Sequence, residues 1–225
     1  MVSTYSKMSL VKSNASISIL MKKILILLFS IFFLSSSSVF ADDISEFQIE
    51  GISIGDSLLD YMTEDEILKG IENSPRYYFL DEPNKFAEIY FDKDFSLYDN
   101  VSVFISTKFS SQYLTNKNEK YIIMSVRGLI TYNEDFDGCI VKRDEIVEEL
   151  SFMFPHAKKE NDNFSHGADP SGDSIVDYVT YELDSGAMIY MNCQDFEENF
   201  RKKMNFTEGL NIATQTREIV EWMTY

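Results

Sequence analysis

Between Tyr77 and Tyr132 the chain carries four strand-like segments, Tyr77 to Leu80, Phe86 to Phe91, Val101 to Thr107 and Tyr121 to Tyr132, with no helical pattern between any two of them. Aromatic and β-branched residues dominate these runs, and polar connections at Asp92 to Asn100 and Phe109 to Lys120 separate them. Parallel strands need a crossover of a dozen residues or more, usually a helix, so strands strung together this way must pair antiparallel. Within the fourth segment Ile122, Met124, Val126, Ile130 and Tyr132 alternate with Ser125 and Arg127, the period of two expected of a sheet with one face in a core and one toward solvent.

Helical patterns bracket this block. Thr63-Glu64-Asp65-Glu66 is a capping box, in which threonine hydroxyl and glutamate carboxylate satisfy each other's free backbone N–H groups. Ile67, Leu68 and Ile71 follow as its buried stripe, with Gly70 and Pro75 marking the end. From Lys142 to Phe154 the residues Ile146, Val147, Leu150, Met153 and Phe154 recur at helical spacing, and Pro155 stops the run. Lys158 to Ser174, poor in apolar residues and rich in Asn, Asp, Ser and Gly, reads as a long surface loop. A hairpin follows, Ile175 to Leu183 and Ala187 to Cys193 around Asp184-Ser185-Gly186, then a strand near Leu210 to Thr214 and a terminal helix carrying Ile219, Val220 and Met223. The sum is an α+β domain: a mainly antiparallel sheet with about three helices packed on one face. At the level of topology this order resembles small exported domains of the β-lactamase-inhibitor-like and outer-membrane-assembly kinds, an analogy that carries fold and not function.

The address is written in the first 41 residues. Lys22 and Lys23 precede an apolar run from Ile24 to Leu34, and Ser35 to Ser38 lead into Val39-Phe40-Ala41, with small or short residues at the −3 and −1 positions that signal peptidase requires. The run is shorter than the ~20 apolar residues of a transmembrane helix, so residues 1–41 are expected to leave as a signal peptide cleaved after Ala41. Residues 1–20 form an extension ahead of a complete Met21-Lys22-Lys23 start. A single domain, 42–225, would remain without membrane anchoring, periplasmic or secreted.

Removing Lys7, Lys12, Lys22 and Lys23 takes the net charge from −17 to −21. Such a surface repels phosphate backbones and anionic headgroups, which argues against nucleic-acid binding. The two cysteines, Cys139 and Cys193, have one possible connectivity, and an oxidising compartment favours the disulfide.

No arrangement of side chains amounts to a committed catalytic site. Gly55-Asp56-Ser57-Leu58 matches the nucleophile block of GDSL-type esterases, with Ser57 as the nucleophile. The Asp-x-x-His of that family is missing: the two histidines are His156 and His166, and Asp162 stands four residues before His166 instead of three. A turn at Gly55-Asp56, with Leu58, Leu59 and Tyr61 packing behind it, accounts for the same residues. Asp162, Asn163, Asp169, Asp173 and Asp177 offer hard oxygen donors for a cation, but their spacing does not fit the twelve-residue calcium loop, and one histidine is too few for a transition metal. The expectation is therefore no metal and no cofactor. Tyr77, Tyr78, Phe79, Phe86, Tyr90, Phe91, Phe95 and Tyr98 are expected mainly as sheet packing, and would bind a glycan or peptide only as one exposed patch.

Phe47 to Tyr61 (FQIEGISIGDSLLDY) resembles the segment that follows the signal peptide in a group of uncharacterised exported bacterial proteins. That resemblance implies export and no activity. The reading that follows is a non-enzymatic exported domain binding an unknown protein or envelope component, with a Ser57 esterase or a cation-binding domain as alternatives.

Overall fold

A computed structural model describes residues 43–107 and 120–224. The proposed signal peptide and its cleavage point at Ala41 lie outside the described residues. Seven strands form one antiparallel sheet: β1 (Phe86–Tyr90), β2 (Asn100–Ser106), β3 (Ile123–Thr131), β4 (Lys158–Ser165), β5 (Ile175–Glu182), β6 (Met188–Asp195) and β7 (Gly209–Gln215), in the spatial order β1-β2-β3-β7-β6-β5-β4. Among the described residues four α-helices accompany them: α1 (Glu64–Asn73), α2 (Phe136–Met153), α3 (Glu198–Met204) and α4 (Arg217–Met223). The chain is thus two meanders, β1-β2-β3 after α1 and β4-β5-β6-β7 after α2, whose last strands β3 and β7 pair to make the sheet continuous.

Register assigns the two faces. Ile89, Val103, Val126 and Ile189 lie in one row across the sheet and belong to the large core, which also takes Ile67 from α1 and Cys139 and Leu150 from α2. The N-terminal segment adds Ile49, Ile52, Ile54 and Leu58 to this core. Helix α1 begins on the expected capping box, with the Thr63 N–H donating to Glu66 Oε2 at 2.8 Å. It runs past Gly70, which is there for another reason: a Cβ at that position would stand 2.8 Å from the Ile89 side chain, so glycine is what lets α1 lie close on β1.

Helix α2 starts six residues before Lys142, capped by Asp135, whose carboxylate accepts from the Gly138 N–H. One contact per turn ties it to β5 and β6. Cys139 is disulfide-bonded to Cys193, Arg143 is paired with Asp177, the Val147 carbonyl accepts from the Tyr181 hydroxyl at 2.9 Å, and the Ser151 hydroxyl meets the same phenol at 2.7 Å. These four residues recur at i, i+4, i+8 and i+12, so a single stripe of the helix faces the sheet.

The expectation of all helices on one face is corrected by α4. Ile219 and Trp222 join Phe86, Phe104, Ile122 and Met124 in a second, smaller core on the opposite side. The cause is a bulge: Phe104 opposes Ser125 while Ile105 opposes Ile123, leaving Met124 as the extra residue in β3. A bulge shifts the side-chain alternation by one residue. Ile122 and Met124 therefore part from Val126 and Ile130, with which simple alternation groups them.

Two further readings change. Tyr77 to Leu80 is a turn, closed by the Leu80 N–H donating to the Tyr77 carbonyl at 2.9 Å, with the Tyr77 ring packed edge-on to Trp222. Lys158–Ser165 is strand β4, exposed at every residue, which explains why its composition imitates a loop. Charged side chains on such an edge discourage pairing with another chain.

In the chain-entropy account, closing 54 residues with the disulfide stabilises by about 4 kcal/mol. The Cys139→Ser/Cys193→Ser protein should therefore lose up to that amount of unfolding free energy, read as a lower urea midpoint. Thiol titration of the denatured, unreduced wild type should find no free thiol, and two reactive thiols would contradict the bridge.

Candidate functional site

Between the second core and the β4 edge, the face of the sheet opposite α1 and α2 presents polar side chains. One register row reads Tyr90, Ser102, Arg127, Ala213, Tyr190, Thr180 from β1 to β5, and the next reads Asn100, Leu129, Asn211, Asn192, Tyr178 from β2. Ala213 is the smallest side chain of the first row and lies between Arg127 and Tyr190. The longer neighbours rise on either side of it, and the two rows from β1 as far as β6 line a cavity of about 350 Å³.

A buried carboxylate anchors one wall. Glu88, 2% exposed, accepts from the Ser102 hydroxyl at 2.7 Å, from the Tyr77 hydroxyl, and from Arg127 at 3.2 Å. Burying an ion costs free energy unless it is paired and hydrogen-bonded, and Glu88 is both. The neighbouring phenols register its charge: burial, then Glu88, pushes the Tyr77 hydroxyl well above the ordinary phenol range and Tyr90 up to about 12. Arg127 also lies over the Phe104 ring, which belongs to the second core. The guanidinium is thus held at the cavity while 39% of its side chain remains exposed.

Amides build the other wall. Asn211 donates to the Asn192 carbonyl oxygen at 3.2 Å, and Asn192 donates to the Tyr190 hydroxyl at 2.9 Å. The Tyr190 ring is stacked on Tyr178 at 6.0 Å with planes 27° apart, and Phe164 of β4 meets Tyr178 edge-on. Gln194, one pair further along β6, lines the cavity with a side-chain amide that makes no hydrogen bond among the described residues.

The residues singled out from the sequence fall elsewhere. Ser57 is fully buried, bridged to Ile122, and its hydroxyl donates to the Lys120 carbonyl at 3.0 Å and accepts from the Leu59 N–H. That is a packing role beside Leu58, and it leaves Ser57 without exposure to solvent. Asp162 and Asn163 sit in β4, Asp177 is paired with Arg143, and Asp169 is occupied by the hydroxyls and N–H groups of Ser171 and Ser174 at 2.6–3.0 Å. His166 is ringed by Phe196, Phe200 and Phe206 at 5.4–6.0 Å. Among the described residues no group of three or more His, Cys, Asp or Glu side chains is placed to hold a metal ion. His156 lines a larger open cleft of about 620 Å³ with Lys158, Glu182, Arg217 and Glu221, where Lys158 pairs with Glu182 and Arg217 with Glu221.

The aromatics of the first half divide between the faces. Phe91, Phe95 and Tyr98 pack on the large core, Tyr77 and Phe86 on the second, and Tyr78 and Phe79 are 76% and 79% exposed. Of this set only Tyr90 lines the cavity.

No protein-family model matches the chain, and no curated protein or solved structure matches it either.

Two predictions follow from these geometries. Glu88→Ala strands the Tyr77 and Ser102 hydroxyls and Arg127 without their acceptor, and should cost about 1–3 kcal/mol in urea unfolding, with Glu88→Gln costing less. The hydrogen bonds from Ser174, and then Ser171, hold the Asp169 carboxyl well below its ordinary range. A depressed pKa in the folded chain stabilises fully above the ordinary carboxylate pKa, and that stabilisation drains away as pH falls through the range below it. Asp169→Asn should therefore flatten the loss of stability on acidification below about pH 4, and an unchanged acid profile would contradict the assignment.

Proposed function

We propose that this is an exported, non-enzymatic recognition domain that holds an envelope component in the cavity on the open face of its sheet. The observation that carries the reading is the convergence of Arg127, Tyr90, Tyr190, Asn192 and Asn211 from four strands onto one concavity of about 350 Å³. A cavity with a few convergent polar groups is the usual form of a small-ligand site. The groups beneath it are fixed in advance: Glu88 holds Arg127, and the Asn211–Asn192–Tyr190 chain sets the orientation of each amide. Preorganisation of this kind lowers the entropy lost on binding.

Export is supported by the leader pattern of residues 1–41 and by the Cys139–Cys193 disulfide, a bond that persists outside reducing compartments. Among the described residues no helix is long and apolar enough to cross a membrane. A binding role is favoured over hydrolysis because the polar groups of the cavity are amides, phenols, the Ser102 hydroxyl and one ion pair. Ser102 donates to Glu88, but the same carboxylate also takes Tyr77 and Arg127, and a carboxylate held by three donors serves as a scaffold more readily than as a general base.

Leu129→Arg with Gln194→Arg fills the cavity from two partly exposed positions and should leave the fold intact. Wild-type protein should co-sediment with isolated bacterial cell envelopes while the double variant, with an unchanged thermal midpoint, stays in solution. Equal sedimentation of the two, or none by the wild type, would contradict the reading.

A further inference from the structure

We propose that the component held in this cavity is an uncharged carbohydrate chain, an inference that rests on the open face being the recognition surface. Charge is the first support for it. The chain carries 37 acidic residues against 20 basic ones, yet from β1 to β5 the two register rows contain a single charged side chain, Arg127, and its charge is met by Glu88. Carboxylates return only at β4, with Glu160 and Asp162. A cationic ligand would find no free carboxylate in the cavity, and an anionic one no free positive charge. A surface so acidic elsewhere and so neutral here fits a neutral ligand.

Hydrogen-bonding capacity is the second. Amide side chains donate and accept through one planar group, and a sugar hydroxyl does the same through one oxygen. Asn192, Asn211 and Gln194 set such amides side by side on β6 and β7, and Arg127 spends one nitrogen on Glu88 while its other N–H groups make no hydrogen bond among the described residues. The match suits a ligand with hydroxyls at regular spacing.

Apolar surface is the third. Pyranose rings carry C–H groups on their faces, which pack against aromatic rings and leave the hydroxyls at the ring edge free for polar contacts. Tyr90 stands at the β1 end of the cavity, half exposed, and the stacked Tyr190–Tyr178 pair at the β6–β5 end, so hydrogen-bonding groups lie between two aromatic ends. Protein partners instead tend to insert apolar anchors into dry pockets, and the floor here is amide and hydroxyl.

Isothermal titration of the whole exported domain with cellohexaose, maltohexaose and chitohexaose tests the proposal, with hexaglucosamine and hexagalacturonate as cationic and anionic comparators. At least one neutral hexasaccharide should bind, with both charged ones about tenfold weaker or more. Tyr190→Ala should weaken binding by about tenfold and Tyr190→Phe by much less, because the ring and not the hydroxyl does the packing. Gln194→Ala, at a partly exposed position, should weaken it several-fold with the fold unchanged. Absence of binding by every neutral sugar, a preference for a charged one, or full binding by Tyr190→Ala and Gln194→Ala would overturn the inference. If no sugar binds yet Leu129→Arg/Gln194→Arg still abolishes envelope sedimentation, the recognition surface stands and its ligand is another envelope component. If that variant also sediments normally, both readings fall.

Discussion

Helix α2 is bound to the sheet once per turn, by a disulfide, an ion pair and two hydrogen bonds at Cys139, Arg143, Val147 and Ser151, and the rest of the architecture depends on that attachment. With α2 fixed over β5 and β6, and α1 over β1, apolar side chains from both meanders have one common side on which to bury. Among the described residues the other side is covered near α4, where Trp222 meets Phe86 and Phe104. Between α4 and the β4 edge the register rows of that face are made largely of Tyr, Ser, Arg and Asn, and on the proposed reading these same polar side chains supply the binding surface.

The concavity has a local origin as well. Strand pairing puts Ala213 between Arg127 and Tyr190, and Glu88 and Phe104 hold the guanidinium in place from below. Neither long side chain collapses over the alanine, since each has partners on its own side. Steric relief on the core side matters too: the Gly128 backbone is covered by the Tyr98 ring, whose place a side chain at 128 would take. The polar face and the packed face of β3 are thus adjusted to each other residue by residue.

Much of this was legible in the sequence. Antiparallel pairing followed from strands with no crossover helix between them, the α1 boundary from its capping box, the α2 core stripe from Leu150 and Phe154, and the disulfide from two cysteines with one connectivity. What escaped has physical reasons. The bulge at Met124 is invisible in composition, since Ile122, Met124 and Val126 alternate as smoothly as any regular strand. Strand β4 is too polar to look like one because both its faces meet solvent. Helix α3, only seven residues long, has a single buried residue, Phe200, and leaves no stripe to read. The cavity was half visible: Arg127 and Ser125 stood out as the polar phase of β3, but Asn192, Asn211 and Glu88 come from strands far apart in sequence, and only register brings them together.

On this view binding takes place on the polar face of the sheet. The most direct measurement is an amide chemical-shift map of the labelled protein titrated with solubilised envelope glycans. Perturbations should gather on β3, β6 and β7 and include the side-chain amides of Asn192, Asn211 and Gln194. Shifts confined to α1 and α2, or to the cleft beside His156, would contradict it.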